Sequence, residues 1–449
     1  MPTQRPLILQ DVEPFVDYRD RWFEQAGMMN RNFYFVWISR LISILGSSLT
    51  TFGVSVWVYG ETGKATPMAV TMLCSILPSV IFAPLSGMVC DYFNRKKVIL
   101  IADSTAAITS LLLLMYLTTE RFDFGMICAF TFVNATANML DNNAYQASLS
   151  TLVKENDIKK AGGMNQIIDS ISSMIAPVCA GILYYPVGLK GLLIIDLCTF
   201  LAAMLIFGRV PACAFSDSDN RKKEHENIFA DISAGFRFIF SQRGLTLLMI
   251  FYAMFNFPLN VSDSLTEPLV LSLGGSFDMG LVKMAGGMGI FLGSLFITKK
   301  GLKCSYSGSI FLSAMVTGAA LCVIGIRNNI YTIILGEFVF LFIIPIVNTM
   351  AGTLWILKTP KELQGRVYAA RGMVVKGTIP LSYLLVGPMA DRWIPMFLQK
   401  HPVACKAVQT VLKEGNLNYR LVYVMAGMTA IVLALLFFSQ KELRRLDRD

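Results

Sequence analysis

Gly87-Met88-Val89-Cys90-Asp91-Tyr92-Phe93-Asn94-Arg95-Lys96-Lys97 forms a short polar turn between two long apolar runs, and its reading decides the fold. A glycine at 87 lets two helices approach closely. Asp91 is a carboxylate able to accept hydrogen bonds from a helix N-terminus or a nearby arginine. Asn94 tolerates a positive φ and so can turn the chain. Arg95, Lys96 and Lys97 suit a loop held against anionic headgroups. Backbone inside a bilayer must satisfy its own hydrogen bonds, so such a turn reads as the connection between two spanning helices.

Working outward, the flanking runs cover 66–90 and 98–118. Others follow at 33–58, 124–146, 162–185, 188–208, 246–271, 279–298, 306–326, 330–354, 367–390 and 419–438. The pattern predicts twelve membrane helices. Composition agrees: the 449 residues are 54% hydrophobic and 15% charged, with a mean hydropathy of +0.56. A soluble domain carries about 25% charged residues. At roughly 20 residues per span, about 242 hydrophobic residues supply on the order of twelve spans. A soluble enzyme, a disordered chain and a disulfide scaffold are excluded, and an outer-membrane barrel would dilute the apolar content. The nine cysteines form no C-x-x-C pair and lie mostly in apolar runs. They read as small hydrophobes, with no metal site. Residues 1–31 are polar and are expected to hold no removable signal peptide.

The polar interval 209–245, with Ser216-Asp-Ser-Asp-Asn-Arg-Lys-Lys-Glu-His-Glu-Asn227, divides the spans six and six. The expected class is an all-α membrane protein of two pseudo-symmetric six-helix bundles. Its parts are a cytoplasmic segment 1–32, a bundle 33–208, a linker 209–245, a bundle 246–438 and a cytoplasmic tail 439–449. With both ends inside, the inner segments hold 27 Lys and Arg and the outer ones 10, while Arg40 and Lys376 fall within spans. That bias predicts cytoplasmic termini in a multi-pass cell membrane protein. It also explains the net charge of +9 without nucleic acid. Ile228, Ile232, Phe236 and Ile239 recur at helical spacing, predicting an amphipathic helix along the cytoplasmic interface. The outer loop 392–420 suggests no chemistry.

The opening turn resembles the signature loop of the major facilitator superfamily, G-x-x-x-D-R-x-G-R-[RK]. Gly87, Asp91, Arg95 and Lys96 match it as a cytoplasmic gate motif, whereas Tyr92 and Asn94 replace the usual Arg and Gly. Four further segments are similar to the macrolide-efflux and siderophore-exporter branch: Trp37-Ile-Ser-Arg40-Leu-Ile-Ser43-Ile-Leu-Gly46, Lys160-Ala161-Gly-Gly-Met-Asn165-Gln166, Pro360-Lys-Glu362-Leu363-Gln-Gly365-Arg366-Val367 and Gly387-Pro388-Met-Ala-Asp391-Arg392. Ala176-Pro177-Val-Cys-Ala180-Gly181 resembles the antiporter motif G-P-x-x-G-G, with alanine at two glycine positions; small residues beside a proline permit close packing and a bend. The resemblance implies two bundles rocking about a central cavity and exchanging substrate for protons.

Polar residues inside spans carry the functional reading, because an ionisable group in a membrane is costly and faces a cavity or a partner. Asn134, Asn138, Asp141 and Tyr145 form one helical stripe. Asn256, Asn260, Asp263 and Glu267 repeat the spacing, and Arg40, Ser43, Ser47 and Thr51 form a third. Arg40, Ser43, Ser47, Asn134, Asn138, Asn256, Asn260 and Lys376 are the expected substrate-cavity residues. Asp141, Asp263 and Glu267 are the expected proton-coupling groups, since a carboxylate in a low-dielectric cavity can exchange a proton near neutral pH; Asp141 and Glu267 could equally meet water at the span ends. Asn134 stands where the family often has arginine, so an arginine relay is not carried over. Arg40 and Lys376 can bind substrate or pair with a buried acid, with Asp103, Asp169 and Asp196 as possible partners, and Glu337 is open in the same way.

Two histidines in separate loops and no P-loop point away from an enzyme. The expected function is proton-coupled efflux of an amphipathic drug-like molecule, macrolide-like or siderophore-like, by a monomer with no cofactor beyond the proton gradient. Its partners would be a small-molecule substrate and the bilayer. The alternative is a lysophospholipid flippase or another small-molecule permease on the same fold.

Overall fold

In the computed structural model, long helices follow one another down the chain, joined by short turns. The structure describes residues 31–82, 86, 89–90, 92–119, 121–154, 157–215, 228–300, 305–360, 363–412 and 415–445. The first helices are α1 (Arg31–Thr62), α2 (Ala65–Ile81), α3 (Arg95–Leu117) and α4 (Phe124–Leu152). The rod Ile158–Gly208 is divided at Gly188 into α5 (158–187) and α6 (189–208). Then come α7 (Arg243–Leu273), α8 (Ser276–Lys300), α9 (Tyr306–Ile326), α10 (Ile330–Lys358), α11 (Gln364–Pro388) and α12 (Leu417–Phe438). Among the described residues, nine helices are long and apolar enough to cross a membrane and Ala65–Ile81 is a shorter apolar one. Helix occupies, wholly or in part, each stretch expected from hydropathy.

Local chemistry sets the ends. Asn94 accepts from the amide of Lys96 at 3.0 Å, Asp123 from Gly125 at 2.8 Å and Asn329 from Tyr331 at 2.9 Å, so polar side chains satisfy the free amides of the first turn. Asn94 keeps a φ of −58°: it serves as a helix cap rather than as the positive-φ turn expected. Gly188, at φ 63° and ψ −170°, adopts a conformation that a side chain would strain. There the chain reverses between α5 and α6, at the expected break.

The apolar cores show how the halves sit. One cluster joins Phe52, Val56 and Ala180 of the first half to Leu265, Leu269, Val282, Val386 and Ala390 of the second. At the other end, where Arg95 and Lys96 sit, each half has its own core. One is built on Val36, Val98, Tyr145 and Phe207, the other on Leu245, Tyr252, Trp355 and Val367. The bundles therefore pack together away from the basic end and hold separate cores at it. Close approach of α5 and α8 seals part of the joint: Ser276 Oγ donates to the Gly181 carbonyl at 3.0 Å. A Cβ added to Gly280 would lie 2.7 Å from the Pro177 carbonyl.

The long outer stretch after α11, long enough to fold locally, comprises a π turn Met389–Trp393 and helices Ile394–Lys400 and Pro402–Leu412. Two expectations change. Arg420, counted with the outer charges, is only 1% exposed. It donates to the carbonyls of Gly325, Ile326, Gly415 and Leu412, because a planar guanidinium with five donors can satisfy a cluster of chain-end acceptors. The linker helix Ile228–Ser241 forms as expected, but it docks on α11: Ile239 is buried, and a Cβ at Gly235 would meet the Arg366 backbone.

Candidate functional site: a cavity between the halves

A cavity of about 690 Å³ lies between the bundles. Its first-half wall is made by one face each of α1, α2, α3 and α4. Thr51, Thr71, Ser75, Thr109, Asn134, Asn138 and Asn142 stand out among its polar residues. Four of these hydroxyls already donate to their own helix: Thr51 to Ser47, Thr71 to Pro67, Ser75 to Thr71 and Thr109 to Thr105, at 2.8–3.1 Å. Back-bonding of this kind uses up the donor, so the wall offers lone pairs to whatever occupies the cavity. Asn138 donates to Asn134 at 2.7 Å, one turn away on α4.

The charged wall comes from the second half, where Asp263, Glu267, Lys283 and Tyr383 line the same space. Asp263 and Glu267 are four apart on α7 and share a face. The Tyr383 hydroxyl donates to Asp263 at 2.7 Å, and Lys283 Nζ lies 3.3 Å from Glu267 Oε1. The opposing walls differ in kind, neutral hydroxyls and amides on one and a net negative group on the other.

The three polar stripes do not share one space. Arg40, Ser43, Asp103, Asp141 and Tyr145 line a second, much smaller cleft nearer the basic end, of about 20 Å³. Within it Arg40 donates to Asp141 at 2.6 Å and to Asn142 at 2.8 Å, and its guanidinium lies 4.2 Å from the Tyr145 ring centroid. Arg40 is thus the partner of a buried acid, and Asn142 links that pair to the large cavity. Ser47 faces Asp196 instead, as do Thr50 and Ser110, the latter two donating to Asp196 at 3.0 Å.

Asn256 donates to the Val375 carbonyl at 3.2 Å and Asn260 to the Asn256 carbonyl at 2.8 Å. Asn256 thus braces α7 against α11 and Asn260 bonds within α7, while the same stripe reaches the cavity at Asp263 and Glu267. The Lys376 side chain lies outside the described residues, as do Gly87 and Asp91 of the gate motif. Arg95 donates to the Ala147 carbonyl at 3.0 Å and Lys96 to the Val210 carbonyl at 2.5 Å. Both cations therefore serve carbonyls near the C-terminal ends of α4 and α6, rather than lipid alone. Pro177 and Gly181 form the α5–α8 contact already described. Gly365 is exposed with open space around it, and the Arg366 backbone supports the linker helix.

Sequence reading missed several polar cavity residues, among them Thr71, Ser75, Thr109 and Asn142 of the first half and Lys283 and Tyr383 of the second. Lys283 was counted with the outer charges, although it falls inside the span 279–298, and that position was the available signal. Tyr383 carried none. Among the described residues no group of three or more His, Cys, Asp or Glu could hold a metal.

The family model described as a transmembrane secretion effector matches residues 24–413. The chain is 22% identical over 379 residues to macrolide efflux protein A of Streptococcus pyogenes, covering 82% of this chain and 92% of that protein. It is 21% identical over 358 residues to the multidrug efflux pump Tap of Mycolicibacterium fortuitum, covering 77% and 86%. In fold it resembles a bacterial homologue of the lysosomal transporter Spinster, solved inward-facing and unoccupied, with a TM-score of 0.67 at 13% identity, covering 93% of this chain and 97% of that one. The nucleoside transporter NupG gives 0.63 at 14%, covering 92% and 100%. These are transporters rather than enzymes, and they fit a chain whose halves enclose a cavity. The chain belongs to the transmembrane secretion effector family of the major facilitator transporters.

Proposed function

We propose that this transporter exports an amphipathic drug-like molecule, macrolide-like or siderophore-like, from the cytoplasm in exchange for protons. The observation that carries the reading is the cavity of about 690 Å³ with its asymmetric walls. Its size suits a drug-sized ligand. The acceptor-rich wall suits a hydroxylated cargo, and Asp263 suits a cationic group on it. The efflux activities in the names of the S. pyogenes and M. fortuitum relatives support the direction.

The Lys and Arg bias sets the basic end in the cytoplasm of a cell membrane protein. The bundles pack together at the far end, so the cavity would load from inside. The protein would work as a monomer, with 33–208 and 246–438 as the moving units and 209–245 as their tether. Asp263 and Glu267 lie where cargo and proton could compete, while Asp141, held by Arg40, would couple through the smaller cleft. The Gly87–Lys97 loop would latch the cytoplasmic side when the bundles rock.

The test uses inside-out proteoliposomes with erythromycin and ethidium as probes. An acid interior should drive their uptake, and a protonophore should stop it. Uptake that ignores the gradient would overturn proton coupling.

One observation favours a second reading, lysophospholipid translocation. An apolar groove of about 480 Å³ between the end of α2, α3 and α4 is lined by Phe82, Phe93, Ile101, Val133 and Lys97. It shares no lining residue with the main cavity. Movement of labelled lysophosphatidylglycerol in the same vesicles, with neither probe transported, would favour it.

A further inference from the structure

Glu337 lies on α10, 5% exposed, and is not part of the cavity lining. α8 packs directly against it: a Cβ on Gly286 would sit 3.5 Å from Glu337 Cγ. Lys283 is one turn earlier on the same helix. Its ammonium approaches the cavity-facing Glu267 to 3.3 Å, on the helix that also packs against Glu337. Lys283 interacts electrostatically with Glu267, Asp263 and Glu337 together.

Three carboxyl groups thus surround one cation. Asp263 is hydrogen-bonded by Tyr383 and reached from the cavity. Glu267 has the lysine on one oxygen, but its Oε2 is buried without a hydrogen-bond partner, and so is Glu337 Oε2. From α12, Tyr423 also faces this group, but its hydroxyl is engaged with Thr266 at 2.8 Å and the Ser262 carbonyl at 3.1 Å. α9 brings Ile324 against the neighbouring Gly336. A buried carboxylate without its own cation costs several kcal/mol, and binding a proton removes that charge.

We infer that the Glu337 carboxyl is a proton-binding site of the second half and that Lys283 is its exchangeable counter-ion. The inference rests on the proton-coupled reading above and deepens it. With the proton on Glu337, Lys283 pairs with Glu267, and the cavity wall offers a cationic cargo no free carboxylate at 267. When Glu337 gives up its proton to water, forming carboxylate and hydronium, Lys283 swings to Glu337. Glu267 is then free to meet a cationic group on the cargo. Proton and cargo exclude one another, as antiport requires.

Infrared difference spectra of the purified full-length protein, titrated between about pH 5 and about pH 9, read the site without cargo. The wild type should show the carbonyl stretch of a buried carboxylic acid that disappears as pH rises. Glu337→Gln should lack it, and Glu337→Asp should restore it at a shifted frequency, which guards against a variant that merely misfolds. A full band in Glu337→Gln, or no titrating band in the wild type, with or without added sodium, overturns the inference.

Ethidium uptake in inside-out vesicles separates this inference from the reading beneath it. Gradient-driven uptake in the wild type that persists equally in Glu337→Gln sinks the Glu337 site alone. Wild-type uptake indifferent to the gradient sinks proton coupling, whatever the spectra show.

Discussion

Asp391 of the second half caps Thr66 of the first: one carboxylate oxygen accepts both the Thr66 amide and its hydroxyl at 2.6 Å. The other accepts the Ala65 amide at 3.2 Å. Lys64, at the cap position of α2, makes no side-chain cap of its own. The first turn of α2 is thus completed only when the bundles meet at this end, which makes its capping energy part of the closure energy.

Asp391→Ala should therefore open that end. Loss of a cap costs about 1–2 kcal/mol, a factor of roughly 5–30 in the closed-to-open ratio. Spin labels at the exposed Lys64 and Lys400 positions should report a new long-distance population in electron resonance. Asp391→Asn keeps one acceptor oxygen and should show a smaller fraction. An unchanged distance distribution in the alanine variant would refute the latch.

Arg40 and Asp141 give a stability prediction. Their side chains are 13% and 17% exposed, and removing one member of a buried pair costs about 3–5 kcal/mol because the other charge is stranded. Arg40→Ala and Asp141→Ala should each lower the melting temperature in detergent sharply. The double variant should melt above at least one of the singles. Strictly additive losses would show that the pair is not coupled. Asp103 shares this cleft, so Arg40→Ala strands two acids and should be the more damaging single change.

These two relationships mark how far the sequence could be read. Span positions were legible because a bilayer imposes about 20 apolar residues on each helix. Asn134 and Asn138 were legible because an amide on a membrane helix needs a polar neighbour. Which acid Arg40 would choose was not, since Asp141 is 101 residues away and helical periodicity says nothing about which helices become neighbours. The same limit hid the division of the α1 and α4 stripes between two spaces, as well as Lys283 among its acids. Arg420 was misjudged because its partners are backbone carbonyls, which every residue has.

The α5–α8 joint tests whether the small residues of the antiporter-like segment matter sterically. A Cβ at Gly181 would collide with the Ser276 carbonyl, and overpacking of this kind costs about 1–3 kcal/mol. Gly181→Val should lower both thermal stability and ethidium uptake. Gly365→Ala, with open space around it, should stay within about 0.5 kcal/mol of the wild type. Equal tolerance at both positions would mean that α5 and α8 do not approach as described.

Cavity charge makes the last prediction. Asp263 and Glu267 face Lys283 in the same wall, leaving one negative charge in excess. Binding of ethidium, a permanent cation, should therefore depend on that excess charge. Asp263→Asn should weaken binding about tenfold or more, the scale of one lost charge-assisted contact. Tyr383→Phe removes only the hydroxyl that positions Asp263 and should show a smaller loss. Lys283→Met should act oppositely, tightening dye binding while lowering thermal stability, because it uncovers Glu267 at the cost of a buried ion pair. Fluorescence titration of the purified protein reads all three. Weaker binding in Lys283→Met would mean that the lysine positions Glu267 for the dye rather than masking its charge.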